Sequence, residues 1–215
     1  EACIKKGYQY MAITDHSQYL KVANGLTAER LKQQAKEIDA LNAEFENFRI
    51  LKGVEMDILP DGTLDYDDDV LAEMDIVIAS IHSSFNQPEH VIMKRLETAL
   101  TNKHVDIIAH PTGRLIGRRA GYEIDIDQLI ELARKTNTAL ELNANPARLD
   151  LRTEHLMKAN EQGVTLVINT DAHNIEMLDD MKTGVTAARK GWTETKNVLN
   201  ARSLKDVEAF LKRND

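Results

Sequence analysis

Residues 76–82 read IVIASIH and residues 105–110 read VDIIAH. Each is a short apolar run that ends on a histidine, and their reading decides the fold. Both runs are too short for an ordinary helix, and neither alternates as a strand with one wet face does. Runs of this kind are parallel strands covered on both sides. Four more occur, at 10–14 (YMAIT), 50–58 (ILKGVEMDI), 139–143 (ALELN) and 164–168 (VTLVI). Helix-length stretches lie between them. In 28–47 the apolar residues Leu31, Ala35, Ile38, Leu41 and Phe45 recur every three to four positions behind Thr27, a suitable N-cap. Similar stripes run through 89–102, 126–136, 153–161, 175–190 and 203–213. The alternation predicts an α/β protein. No low-complexity tract, Pro/Gly linker or compositional shift divides it, so residues 1–215 read as a single domain.

Composition narrows the class. Hydrophobic residues make up 42% and charged residues 29%, which suits a folded core and argues against disorder. No window approaches the length of uncharged apolar sequence that a membrane-spanning helix needs, and EACIKKGYQY lacks the features of a signal peptide. A lone cysteine, Cys3, excludes an internal disulfide framework and a Cys-rich zinc module. The cytoplasm is the expected compartment and no membrane partner is expected. With 27 basic and 35 acidic residues the net charge is −8, which counts against a DNA-coating protein. It leaves room for a nucleic-acid enzyme whose local positive charge comes from bound metal. Neither a Gly-x-Gly-x-x-Gly motif nor a P-loop is present.

Four of the seven histidines end or follow a predicted strand: His16 in AITDH, His82 in IASIH, His110 in IIAHP and His173 in VINTDAH. In a parallel barrel all C-terminal strand ends converge on one face. In an open sheet, ligands on the outermost strands would stay apart, so this distribution favours a barrel. Glu55, in GVEMDI, and Asp171, two residues before His173, join the set. Asp171 and His173 can share a face if the backbone stays extended there. Asp15, adjacent to His16, should point elsewhere. A single histidine after a strand is ordinarily a hydrogen-bonded core residue; four at equivalent positions with two carboxylates make a metal centre. His90, His104 and His155 fall on helical stretches or their ends and read as surface residues. Imidazole and carboxylate without thiolate suit zinc, manganese or iron(II). His16, Glu55, His82, His110, Asp171 and His173 exceed the needs of one tetrahedral ion, so two or three divalent ions are expected. Ions about 3.5–4 Å apart can grip a phosphoester and supply hydroxide near neutral pH, with no serine or cysteine nucleophile.

The loop after His110, PTGRLIGRRAGYEID, carries Arg114, Arg118 and Arg119, and NANPARLDLR carries Arg148 and Arg152. Arg114, Arg118, Arg119 and Arg148 are expected to bind substrate phosphate, which guanidinium grips with paired hydrogen bonds. Glu141, Asn143 and Asn145 alternate, so one face of that strand can turn all three toward the barrel mouth. The methionines and Tyr8 and Tyr10 read as core and rim packing.

These segments resemble the PHP (polymerase and histidinol phosphatase) family. The likeness is carried by ITDHS at 13–17, GVEMDI at 53–58, ASIHSS at 79–84, IAHPTGRLIGRR at 108–119, ELNANPARLDL at 141–151 and NTDAHN at 169–174, and it covers essentially the whole chain. HPTGRLIGRRAGYEID, ELNANPARLDLR and MKTGVTAARKGWTETKNVLN look most like the C-terminal domain of bacterial family X DNA polymerases. The resemblance implies a distorted (β/α)7 TIM-like barrel with a trinuclear centre, usually zinc or manganese. It implies phosphoester hydrolysis, and in the polymerase branch a manganese-dependent 3′→5′ exonuclease acting on DNA ends in repair. His16 matches the histidine of the family's second motif and Glu55 the glutamate that bridges two ions. His82 and His110 match ligands of one ion together with Glu55. Asp171 and His173 match the last motif, each serving a different ion. No catalytic side chain distinct from these ligands is expected. The family's first motif, an HxH strand followed by a Ser-Asp segment, would lie upstream of Glu1. The resemblance therefore implies a fragment that lacks the first strand, with a polymerase domain in the parent chain and a DNA 3′ end or other phosphoester as partner. Two rivals stand beside the exonuclease: a histidinol-phosphate-type small-molecule phosphatase, and a catalytically impaired structural module.

Overall fold

The computed structural model describes residues 1–212, so Arg213, the last residue of the final predicted helix, lies outside the described residues. Each apolar run contains a strand: β1 (Tyr10–Ile13), β2 (Arg49–Asp57), β3 (Ile76–Ser80), β4 (Ile107–Ile108), β5 (Ala139–Asn143) and β6 (Leu166–Asn169). The helices are α1 (Ala2–Lys5), α2 (Ala28–Glu44), α3 (Asp68–Leu71), α4 (Glu89–Thr101), α5 (Ile126–Thr136), α6 (Thr153–Glu161), α7 (Met181–Lys190) and α8 (Leu204–Leu211). Side chains cap three of them. Thr27 accepts from Arg30 N at 3.3 Å, Asp125 from Asp127 N and Gln128 N at 3.0 Å, and Ser203 from Asp206 N at 3.3 Å.

Of the boundaries that differ from the sequence expectation, three have a cause in a side-chain contact. The 28–47 stripe stops at Glu44, and the Asn42 amide pairs with both the N–H and the carbonyl of Ile50 at 2.8 Å, turning the chain into β2. β4 covers only part of 105–109. At its start the Asp106 carboxylate, in place of a main-chain carbonyl, accepts from Val77 N at 2.9 Å. The 175–190 stripe divides into a 3-10 turn, Glu176–Asp180, and α7. The turn is started by Asn174, whose side chain accepts from Met177 N at 3.0 Å.

All neighbouring strands are parallel, and their order in the sheet is their order in the chain. A doubly wound sheet reverses at a switch point; this one never does, which is the winding of a barrel. In a flat sheet β1 and β6 would stand about 24 Å apart. Instead the His16 and His173 rings, beyond those two strands, have centroids 6.4 Å apart. The Tyr10 hydroxyl also donates to Arg202 O at 2.9 Å. Beside β6 the chain at 198–200 imitates a further strand. Val198 makes one parallel bridge to Leu166, and the Asn200 amide accepts from Ile168 N at 3.1 Å and donates to Ile168 O at 2.5 Å. The described residues thus form a six-stranded, partly closed parallel barrel. The count of seven belongs to the resemblance. Among the described residues no helix is long and apolar enough to cross a membrane.

Side chains alternate between two environments, as strand geometry dictates. Val54, Met56, Val77, Ala79, Ile108, Leu140, Leu142 and Ile168 pack outward against helix residues such as Leu31, Ile92, Leu96, Leu129 and Leu156. Leu51, Ile76, Ile78, Ile107, Ala109, Ala139 and Val167 point inward, where Val207 and Phe210 of α8 meet them. Toward the C-terminal strand ends the inward positions turn polar: Glu55, Asp57, Ser80, Glu141 and Asn143. The barrel is therefore plugged with hydrocarbon at one end and lined with polar groups at the other. Replacing Phe210 by alanine should cost about 3 kcal/mol and lower the melting temperature by about 10 °C. Metal content should be unaffected; a melt within a degree or two of wild type would show that α8 does not plug the barrel.

Candidate metal centre

Glu55 stands on the inward face of β2, and the segment after β1 continues to pair with it. Glu55 N donates to Asp15 O at 3.0 Å, and Ser17 N donates to Glu55 O at 3.0 Å. Gly53, one inward step earlier, allows this close approach. A Cβ there would lie 3.0 Å from Ile13 O, 2.9 Å from Thr14 Cγ2 and 2.7 Å from Ile76 Cγ2.

Three histidines from three strand ends face the one carboxylate. His110 Nε2 lies 3.0 Å and His82 Nε2 3.3 Å from Glu55 Oε1, and His16 Nδ1 lies 3.4 Å from Oε2. The His16 and His82 rings are edge to face at 4.9 Å, and those of His82 and His110 at 5.2 Å. His16, Glu55 and His82 each offer a ligand atom within 4.8 Å of the other two. His110 joins through its contact with Glu55.

The surroundings fix which nitrogens face inward. Asp57 Oδ1 lies 3.1 Å from His82 Nδ1, and Ser80 Oγ 3.2 Å from it, which leaves His82 Nε2 turned to Glu55. This is the carboxylate–histidine arrangement that orients metal ligands. Asp57 was not singled out from the sequence, although its position two residues after Glu55 puts both on one face. His110 N donates to Glu141 Oε2 at 2.6 Å, and Asn169 Nδ2 donates to Glu141 Oε1 at 2.9 Å. Glu141 and Asn143 do turn into the mouth. Asn145 does not; it accepts from Ala147 N at 2.9 Å and shapes a turn. Asp15 points away as expected, accepting from Gln34 Nε2 at 2.6 Å.

Electrostatics follow from burial. Burial pushes Glu55 up, but its hydrogen bonds with His110 and His82 outweigh this and hold it well below the usual carboxylate range. Burial opposes a charge on His82; its hydrogen bonds to Asp57 and Glu55 win and push it up to about 9. Burial lowers His16 and raises Glu141 to about 7. His16 Nδ1 is buried and has no hydrogen-bond partner, a costly state for an imidazole nitrogen. An orphaned nitrogen beside an anionic carboxylate and two more imidazoles fits a zinc, manganese or iron(II) ion.

Asp171 and His173 lie at the rim. Asp171 has a left-handed φ of 51°, so the backbone is not extended there, yet His173 Nδ1 still lies 3.8 Å from Asp171 Oδ1. Asn143 Nδ2 donates to Asp171 Oδ2 at 3.1 Å, and Arg148 Nε lies 3.6 Å from the same oxygen. His173 is exposed and donates from Nδ1 to Asp171 O at 2.8 Å. The arginines separate. Arg114 donates to the carbonyls of Arg148 and Leu149, Arg118 is exposed, and Arg119 donates to Gly113 O at 2.8 Å with its guanidinium 4.0 Å above the Phe85 ring. Only Arg148 of the four reaches a predicted metal-centre residue in these contacts.

The sequence profile of the PHP domain matches residues 1–145. The chain belongs to the PHP family. A protein of Thermoanaerobacter sp. named "probable phosphatase" is 32% identical to this PHP chain, over 79% of this chain and 68% of its own length. One of Caldanaerobacter subterraneus subsp. tengcongensis is 30% identical over 79% and 66%, and one of Shewanella sediminis 28% identical over 96% and 81%. The chain spans about two thirds of the first two. The histidinol phosphate phosphatase of Lactococcus lactis, solved with zinc, L-histidinol and phosphate, shares the fold with a TM-score of 0.58 and 16% identity, over 90% of this chain and 86% of that one. These relatives bear phosphatase names, and the narrower likeness to family X polymerases gains nothing from them.

Two outcomes test this PHP centre. Asp57→Asn should weaken metal binding by about 10- to 100-fold, measured by competition with a coloured chelator; unchanged affinity would remove Asp57 from the site. In chelator-treated protein His82 has a folded pKa above its ordinary 6.5. Its charged form therefore stabilises the fold fully below that value, and the contribution is lost as pH rises through about 9. The melting-temperature gap between wild type and His82→Gln should narrow across that window, and a constant gap would contradict the arrangement.

Proposed function

We propose that this centre hydrolyses phosphomonoesters of small molecules, with divalent ions held by His16, Glu55, His82, His110, Asp171 and His173. The observation that carries the reading is the convergence of His16, His82 and His110 on the buried Glu55 carboxylate at the open end of the barrel. Bound divalent ions polarise phosphoryl oxygens and bring the pKa of water near neutrality. The chain's own residues do the rest. Asp57 fixes the His82 ring, Glu141 holds the backbone of His110, and burial keeps His16 neutral and able to ligate. Arg148, beside Asp171, is placed to take a phosphate oxygen.

A small ester suits the site better than a polynucleotide. Strand binding needs several cations in a row. Here Arg114 is engaged with backbone carbonyls and Arg119 with Phe85 and Gly113, and the chain carries a net charge of −8. One guanidinium is enough for a monoester. The phosphatase names of the relatives point the same way. The test is hydrolysis of histidinol phosphate, p-nitrophenyl phosphate and 3′-labelled single-stranded DNA with manganese or zinc. The monoesters should turn over faster than DNA, and His82→Ala should lose at least about 100-fold in kcat/KM through loss of a ligand. Preferential degradation of DNA would restore the exonuclease, and no hydrolysis of any substrate by the metal-loaded chain would leave the structural module.

A further inference from the structure

Arg114, expected from the sequence to touch phosphate, is directed elsewhere. Its Nε donates to Arg148 O at 2.9 Å, and its terminal nitrogen donates to Leu149 O. Leu149 has a left-handed φ of 44°, a strained setting for a leucine. The two loops are clasped at further points. Ile116 N donates to Ala147 O at 2.7 Å, and Thr112 N to Asp150 Oδ2 at 3.0 Å. Gly113, at φ 63°, lets the arginine loop pass over Tyr122, whose ring would lie 2.5 Å from any Cβ there. The clasp fixes the main chain of Arg148 on both sides. The Arg148 head is then placed with Nε 3.6 Å from Asp171 and with one terminal nitrogen, Nη1, buried and without a partner. An unpartnered guanidinium nitrogen beside a metal centre asks for an anionic oxygen.

We propose that Arg114 is a positioning residue that sets Arg148, and that Arg148 binds the phosphoryl oxygens. The inference rests on the phosphoester reading of the centre. Arginine suits position 114 because its rigid planar fork holds Nε and a terminal nitrogen toward two successive carbonyls at once, a fixed geometry that the compact ammonium of lysine does not reproduce.

The experiment is calorimetric binding of inorganic phosphate to the manganese-loaded full chain. It compares wild type, R148M, R114M, R114K and the R114M/R148M double variant, with bound manganese measured in each. Arg148→Met should weaken phosphate about tenfold or more. Arg114→Met should approach that loss with manganese content unchanged, R114K should fall between, and R114M should add nothing once Arg148 is gone. An equal loss from R114M in both backgrounds would mean that Arg114 acts independently of Arg148, and no loss from R114M or R114K would mean that the clasp is idle; either overturns the proposal. If R114M loses its manganese, R114K and an added R114K/R148M double variant decide by the same criterion. Wild type that binds no phosphate, or R148M that binds it as wild type does, would overturn the anion-binding role of Arg148 and so the proposal. Monoester turnover by wild type then tells whether the phosphatase reading survives that loss.

Discussion

A carboxylate in the interior of a barrel must be compensated, and among the described residues Glu55 is compensated by histidines at the ends of strands near its own. Taking an ion out of water costs several kcal/mol after relaxation. His16, His82 and His110 come from the ends of β1, β3 and β4, and each puts a nitrogen within 3.4 Å of a Glu55 oxygen. The parallel order of the strands and the assembly of the site are thus one constraint. The inward face is hydrocarbon where α8 enters and polar where the strands end, so the core stabilises the barrel without competing for the residues of the centre.

β5 supplies no predicted ligand, yet it sits behind two of them. Glu141 accepts the backbone N–H of His110, and Asn143 donates to Asp171. His110 and Asp171 both have positive φ, at 29° and 51°. Such conformations cost of order 1–3 kcal/mol each and persist where the surroundings over-determine them. The polar face of β5 is the support that holds them, which explains why a buried strand carries a glutamate and an asparagine at alternate inward positions.

Much of this was legible in one dimension. The six runs, their helical partners and the histidines at strand ends depend on local pattern, and local pattern survives folding. Glu55 was visible because it falls near the C-terminal end of a largely apolar run, where the other strands carry their histidines. Other features depend on contacts between distant segments. Arg114 looked like a phosphate ligand because its loop follows a strand, but its acceptors lie 34 and 35 residues further on. β4 was shortened by the Asp106 side chain pairing with Val77. Asp171 and His173 do stay together, 3.8 Å apart, but across a left-handed turn at Asp171 and not along an extended backbone. Asp57 alone had a local signal that went unused, its place on the same face as Glu55.

The central claim is that Glu55 is the point on which a metal centre assembles, and metal content tests it most directly. Protein purified without chelator, as wild type and as Glu55→Gln, is analysed by plasma mass spectrometry, with circular dichroism to confirm that both are folded. The account predicts stoichiometric zinc, manganese or iron in the wild type and a fall to background in the folded variant. A wild type without bound metal, or a Glu55→Gln protein that keeps its full complement, would contradict it.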